Sequence, residues 1–196
     1  MHQQLIDLIY YEYLFDCERK NPEYVKKRYS HLYPKIDKYL ECKEWYNEIG
    51  QLHREGDKPA VIYTSGRKEW YWNGYHHRAS KDSNGNCKPA IICAMSTREY
   101  FFHGRLHRAA DKPARILDDG HREWFWDGRR HREAVDSNGN RLPAVICANG
   151  DLEWYWNNRR HREAVDANGN RLPAVICANG RKAWWVSGRR IILTNF

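Results

Sequence analysis

The sequence predicts a mainly β protein with an α-helical N-terminal region: an elongated antiparallel ribbon of β-hairpin repeats forming a single sheet. Three observations predict it. A phrase made of an aromatic cluster, a Gly or Asn turn, His-Arg and then Pro-Ala returns five times. The residues flanking each turn pair off in one register in every copy. Residues 1–43 carry no copy of the phrase. Repeats of this kind bury each unit's apolar face against its neighbours rather than in a private core.

Over residues 1–43, Leu5, Ile6, Leu8, Ile9, Leu14 and Phe15, interleaved with Asp7, Glu12 and Asp16, have the spacing of an amphipathic helix. Asn21-Pro22-Glu23 reads as a helix start, with Asn as the cap and Pro at the first helical position. Tyr33-Pro34 interrupts that second helix, and Ile36, Tyr39 and Leu40 support a third. This region is expected to cap the first repeat, because an open sheet edge invites pairing.

Residues 44–196 are expected to hold about five and a half units. His-Arg recurs at His53-Arg54, His77-Arg78, His107-Arg108, His131-Arg132 and His161-Arg162, and Pro-Ala at Pro59, Pro89, Pro113, Pro143 and Pro173. The gap between the two holds four residues (Glu55 to Lys58; Ala109 to Lys112) or ten, so the unit is 24 residues with an optional insertion of six. The insertion, such as Asp136-Ser137-Asn138-Gly139-Asn140-Arg141, is turn chemistry.

Asn73-Gly74, His103-Gly104, Asp127-Gly128 and Asn157-Asn158 suit two-residue hairpin turns. That register sets Trp72 opposite Tyr75, Trp126 opposite Arg129 and Trp156 opposite Arg159. Carried inward it sets Trp70 opposite His77, Tyr100 opposite His107, Trp124 opposite His131 and Trp154 opposite His161, the expected structural core of the repeat. One step further it expects cross-strand ion pairs Glu69–Arg78, Glu99–Arg108, Glu123–Arg132 and Glu153–Arg162. A second turn, such as Asn149-Gly150 or Asn179-Gly180, links each Pro-Ala strand to the next aromatic strand.

Composition narrows the function classes. Hydrophobic residues are 41% of the chain and mean hydropathy is −0.92, yet there are nine Trp and thirteen Tyr, so burial rests on large rings. No run approaches the roughly 18 apolar residues of a membrane span. Met1-His2-Gln3-Gln4 lacks the basic and apolar parts of a secretory signal, so the expected setting is intracellular and reducing. Cys93, Cys147 and Cys177 fall at one place in three units and are expected to form a column of small buried side chains. With no Cys-x-x-Cys pair, neither zinc nor any other cofactor is expected. The His column, one per unit opposite an aromatic, fits packing rather than a metal ladder. No phosphate loop, nucleophile elbow or carboxylate dyad occurs, so no enzyme is expected.

The formal charge of +8 gathers in residues 105–196, where the basic residues are nearly all Arg. Arg105, Arg129, Arg130, Arg159, Arg160, Arg189 and Arg190 flank the hairpin turns and are expected to form a stripe along one edge. Such a stripe suits a phosphate backbone or an acidic lipid surface; alternatively the Arg side chains solvate the turns and stack on Trp. The last unit breaks the pattern, with Ala183 in place of Glu and Ile191-Ile192 in place of His-Arg. Ala183, Ile191 and Ile192 are the candidate contacts for self-association.

The pattern Trp-x-x-Asn-Gly-x-x-His-Arg resembles MORN repeats and the divergent MORN-like repeats abundant in giant DNA viruses. The residues that carry it are Trp70/Gly74/His77, Tyr100/Gly104/His107, Trp124/Gly128/His131 and Trp154/Asn158/His161, and the likeness spans residues 44–190. Where the family has Gly after His, this chain has Arg78, Arg108, Arg132 and Arg162. The Pro-Ala strand and its insertion are also not part of the family's unit. The resemblance implies successive hairpins in an elongated, curved sheet, with scaffolding, dimerisation and anionic-lipid contact as functions. In the viral case it implies a virus-encoded protein of the host cytoplasm or the virion. The expected function is therefore a non-enzymatic scaffold for protein–protein contacts, with a protein partner or a homo-oligomer. The alternative is nucleic-acid or anionic-lipid binding through the Arg stripe.

Overall fold

Each Pro-Ala dipeptide precedes a short strand, since proline cannot donate to a ladder and stands just outside it. The computed structural model describes residues 42–94 and 96–192. The strands that follow proline are Val61–Tyr63, Ile91–Ile92, Arg115–Ile116, Val145–Ile146 and Val175–Ile176. After a tight turn each returns as Lys68–Glu69, Arg98–Glu99, Arg122–Glu123, Leu152–Glu153 and Lys182–Val186. With Cys42–Glu44 at one end and Arg189–Ile191 at the other, they make one antiparallel sheet of 12 strands. Every interior Glu strand is paired on both sides: Glu69 faces Val61 and Ile91, and Glu153 faces Val145 and Val175.

The aromatic clusters leave this sheet. Tyr71–Trp72 with Tyr75–His76, Phe101–Phe102 with Arg105–Leu106, Phe125–Trp126 with Arg129–Arg130, and Tyr155–Trp156 with Arg159–Arg160 form four separate two-stranded hairpins. Their register is the expected one, Trp72 opposite Tyr75, Trp126 opposite Arg129 and Trp156 opposite Arg159. Asn73 and Gly74 hold φ of 47° and 80°, as a type I′ turn requires. The expected single sheet is thus one long sheet with four hairpins standing off it.

The hinge between the two is the first aromatic of each cluster. Trp70 donates its N–H to Ala90 of the next unit at 2.8 Å, while its carbonyl accepts from His77 at 3.0 Å. One backbone group serves the sheet and the other serves the hairpin. Trp124 and Trp154 divide their groups in the same way. Trp70, Tyr100, Trp124 and Trp154 are buried, and beside them the alanines of the Pro-Ala dipeptides, Ala60, Ala90, Ala114, Ala144 and Ala174, are 0% exposed. These two sets make a thin core that runs from unit to unit. Cys93, Cys147 and Cys177, expected as a buried column, are half-buried free thiols at the entry to the second turn.

No helix occurs among the described residues. The helical cap expected over residues 1–43 lies outside them except for Cys42 and Lys43, which stand in the strand Cys42–Glu44. In the last unit Lys182–Val186 runs on without a hinge and pairs directly with Arg189–Ile191, Trp184 opposite Ile191.

Candidate functional site

The Arg of each His-Arg dipeptide stays with its hairpin and folds back over the hinge aromatic. Arg54 lies over Trp45, Arg78 over Trp70, Arg108 over Tyr100, Arg132 over Trp124 and Arg162 over Trp154, at 3.6–3.8 Å from the ring centroids. Each also donates Nη1 to the carbonyl of the following proline, Pro59, Pro89, Pro113, Pro143 or Pro173, at 3.0–3.1 Å. The expected pairs Glu69–Arg78, Glu99–Arg108, Glu123–Arg132 and Glu153–Arg162 therefore do not form. The hinge sends Glu into the sheet and leaves Arg on the hairpin. Glu69 bonds Arg67 at 2.5 Å and His76 at 2.9 Å, Glu99 bonds Arg115 at 2.6 Å, Glu123 bonds Arg115 and Arg130 at 3.0 and 2.8 Å, and Glu153 bonds Arg160 at 3.0 Å.

The expected packing of each His ring on the aromatic opposite it does not form; the two meet through the backbone, where the His161 N–H reaches the Trp154 carbonyl at 3.0 Å. Their rings point elsewhere, onto the next unit. His53 lies 4.4 Å from Trp72, His107 4.4 Å from Trp126 and His131 3.9 Å from Trp156. Nδ1 of His53, His77, His107 and His161 accepts the N–H of Asn73, His103, Asp127 and Ser187 in the following turn, at 3.0–3.2 Å. An accepting Nδ1 places the imidazole proton on Nε2. At His161, Nε2 lies 3.1 Å from a Glu163 carboxylate oxygen. Burial, and then His103 nearby, hold the His77 pKa below its ordinary value.

The Arg residues of the expected stripe divide into two sets. Arg105, Arg129, Arg159 and Arg189 follow the turns directly and are exposed, as is Arg190. Successive tips touch, so that a Cβ placed on Gly128 would lie 3.7 Å from Arg105 Cβ, and one on Gly188 3.5 Å from Arg159 Cβ. Arg105 is paired with Asp127 of the next tip at 2.7 Å. Arg130 and Arg160 turn inward to Glu123 and Glu153. Of the proposed self-association residues, Ala183 pairs with Val175, Ile191 pairs with Trp184, and Ile192 is 83% exposed.

One feature escapes a reading based on the common phrase. In the four-residue gaps, the residue two before proline is Asp57 or Asp111. Asp57 accepts Arg78 Nε and Nη2 at 2.7 and 3.1 Å, and Asp111 accepts Arg132 Nε and Nη2 at 2.7 and 2.8 Å. In the ten-residue gaps the same position holds Cys87, Arg141 or Arg171. The equivalence is structural. The carbonyls of Asp57, Asp111, Arg141 and Arg171 each accept an indole N–H, from Trp70, Trp124, Trp154 and Trp184. Arg108 and Arg162, which follow ten-residue gaps, accordingly have no Asp on the fork. Their Nε atoms are buried with no acceptor among the described residues, and burial pushes both guanidinium pKa values down. Beside Arg162, the inserts 133–142 and 163–172 frame an open cleft of about 1020 Å³, also lined by Trp154, Val135 and Val165.

No family model, curated protein or solved structure matches this chain. Among the described residues, no helix is long and apolar enough to cross a membrane.

Proposed function

We propose that the chain is a non-enzymatic scaffold of the divergent MORN-like kind, working through protein–protein contacts that include self-association. The hairpin array is compatible with that family. The observation that carries the reading is the end of the long sheet. Interior Glu strands have a partner on each side, whereas Arg189–Ile191, the last strand of the sheet, pairs only with Trp184–Val186 among the described residues. An unpaired edge is a ready template for a strand of another chain. Beside it stand Ala183 in place of the buried Glu and the exposed Ile192. Size exclusion coupled to light scattering should show a mass that rises with protein concentration. Ile192→Asp should return it towards the 23.5 kDa of one chain. A single-chain mass at every concentration would defeat the reading.

A second reading is favoured by the exposed column Arg129, Arg159 and Arg189. These side chains have no ion-pair partner within the described residues and lie on successive tips, which suits nucleic acid or an acidic lipid surface. Replacing these three by Ser should weaken retention on heparin and flatten its salt dependence. Arg130→Ser and Arg160→Ser should act mainly on stability, since both residues serve buried or half-buried carboxylates.

A further inference from the structure

We infer that the row of hairpin tips takes single-stranded nucleic acid, its bases on the open sides of Trp72 and Trp126 and its phosphates on Arg129, Arg159 and Arg189. This rests on the nucleic-acid reading of the exposed Arg column and names the form of the polymer.

The tips present one composite face. Residues directly opposite in a hairpin share a side, so Trp72 stands with Tyr75, Trp126 with Arg129 and Trp156 with Arg159. Arg189 holds the matching place on the last tip. Trp72, Tyr75, Phe102 and Trp126 are 44–60% exposed. Large rings held in water on three successive tips mark a contact surface rather than scattered apolar residues.

The chain shows what these rings accept. His131 lies 3.9 Å from Trp156 and the Arg141 guanidinium 3.6 Å over it. Those two distances cannot be met on one side of a ring, so Trp156 is covered on both. Trp72 and Trp126 have the corresponding His, His53 and His107, each at 4.4 Å. The position of Arg141 is held there by Asp57 and Asp111, whose carboxylates are taken by Arg78 and Arg132. The second side of each ring thus lacks the flat partner that Trp156 has. Trp72 and Trp126 are accordingly exposed where Trp156 is half-buried. A cavity of about 310 Å³, room for one base, opens beside Trp72 and is lined also by Trp70, Asp57, Arg78 and Ser80.

Charge decides which flat group fits. A partner's guanidinium would repeat Arg141, but Arg129 stands directly opposite Trp126, exposed and without an ion-pair partner among the described residues. A second free cation on that ring would be repelled. A nucleobase offers the same flat face without positive charge, and its strand brings phosphates to the tip Arg residues. A duplex keeps its bases inside, and lipid headgroups have no flat ring to stack.

The test uses the full chain and fluorescence anisotropy. The probe is a labelled oligothymidylate of about fifteen nucleotides, long enough to cross tips that stand two sheet strands, roughly 10 Å, apart. An oligouridylate, a duplex and an abasic strand with the same sugar-phosphate backbone, all of that length, complete the set. Thymidylate and uridylate should each bind at least about tenfold tighter than the abasic strand, the scale of one or two stacked bases. The duplex should bind more weakly than either. Asp57→Arg with Asp111→Arg should give Trp72 and Trp126 the cover that Arg141 gives Trp156. The change adds positive charge, so the abasic strand should bind at least as well while thymidylate loses most of its advantage. Should that pair disturb the fold, as a melting curve would show, Trp72→Leu with Trp126→Leu keeps apolar bulk at two exposed sites and should remove the same advantage. An equal gain for thymidylate and abasic strands in the folded Arg variant overturns the inference, because charge alone would then be at work. So does tighter binding of the duplex, or preference for phosphatidylserine vesicles over the strand in direct competition. Equal binding of thymidylate and abasic strands by the unaltered chain removes the base sites and leaves the Arg column as a phosphate binder. Binding to no strand and no vesicle removes both.

Discussion

At the scale of single residues, charge in this protein is placed inside and then matched. Glu69 and Glu123 are 3% and 4% exposed. Burial pushes a carboxyl pKa up, but the hydrogen bond with His76 and the Arg67 guanidinium outweigh it at Glu69. At Glu123 the contacts with His121, Arg130 and Arg115 outweigh it, and both residues are held down to about 2 from an ordinary 4.5. Since the unfolded chain takes up these protons first, the stability they contribute is whole above about pH 4.5 and is lost as pH falls through about 2. Each carboxylate carries on the order of 2–3 kcal/mol of that loss. Urea midpoints measured from pH 6 down to pH 3 should fall steeply, and Glu123→Gln should make the fall shallower at the expense of stability at neutral pH. A midpoint that stays flat across that range would mean the two carboxylates are not held as described. The residue types of these contacts were legible in the sequence, where Glu and Arg recur in strict register. Their partners were not. Counting outward from the turn assumes a straight hairpin, and Trp70 or Trp154 divides its two backbone groups between hairpin and sheet.

At the scale of the hairpin, the turn determines the pairing of the two residues on either side of it. Two residues of positive φ at each tip leave only one register, which is why Trp72–Tyr75, Trp126–Arg129 and Trp156–Arg159 could be read correctly in advance. Contacts between hairpins were hidden, because they are made by groups the phrase does not distinguish. Nδ1 of His107 caps the N–H of Asp127, and the Gly128 N–H reaches the Leu106 carbonyl at 2.8 Å. The second turn residue thus has two duties, a left-handed backbone and a close approach to the previous tip. Gly104 shows both most sharply, with φ of 76° and room for a Cβ only 3.0 Å from Tyr75 Cδ1. Gly104→Ala should cost at least about 1–2 kcal/mol for the left-handed backbone, before any displacement of Tyr75. Asn158 occupies the same position with φ of 67° and offsets its strain by accepting the Arg130 N–H at 2.8 Å. Asn158→Gly should therefore change stability by less than about 1 kcal/mol, a lost hydrogen bond against relieved strain. Thermal melts of the two variants decide the matter, and equal losses would show that the left-handed backbone at position 104 carries no such cost.

At the scale of the molecule, adjacent units are joined at three levels: the Glu strand to the next Pro-Ala strand, the hinge aromatic to the next alanine, and the His ring to the next turn. No unit is complete without its neighbour, so stability should behave as a sum of units and the interfaces between them. The repeat period already implied this in the sequence, whereas the separation of sheet from tips needed the hinge to be seen. The optional insertion was legible as a loop, but its effect on the Arg fork was not, because that effect depends on a single Asp replaced by Cys87 or Arg141. The coupling has a direct consequence. The sequence Arg141-Leu142-Pro143-Ala144-Val145-Ile146-Cys147 is repeated at Arg171-Leu172-Pro173-Ala174-Val175-Ile176-Cys177. Deleting residues 143–172 therefore removes one whole unit and leaves every remaining junction with a partner the protein already uses. Glu123 would meet Val175 as it meets Val145, the Trp124 N–H would find the Ala174 carbonyl, and His131 would face the turn at Ser187. The shortened chain should fold with an unchanged type of circular dichroism spectrum. Its denaturant m-value should fall in proportion to the surface no longer buried, and its midpoint should fall because one interface is gone. If the deletion instead unfolds the chain, the units do not couple through nearest neighbours alone. If m is unchanged, the removed unit was not part of the cooperative structure, and the end-to-end continuity on which the scaffold reading depends would go with it.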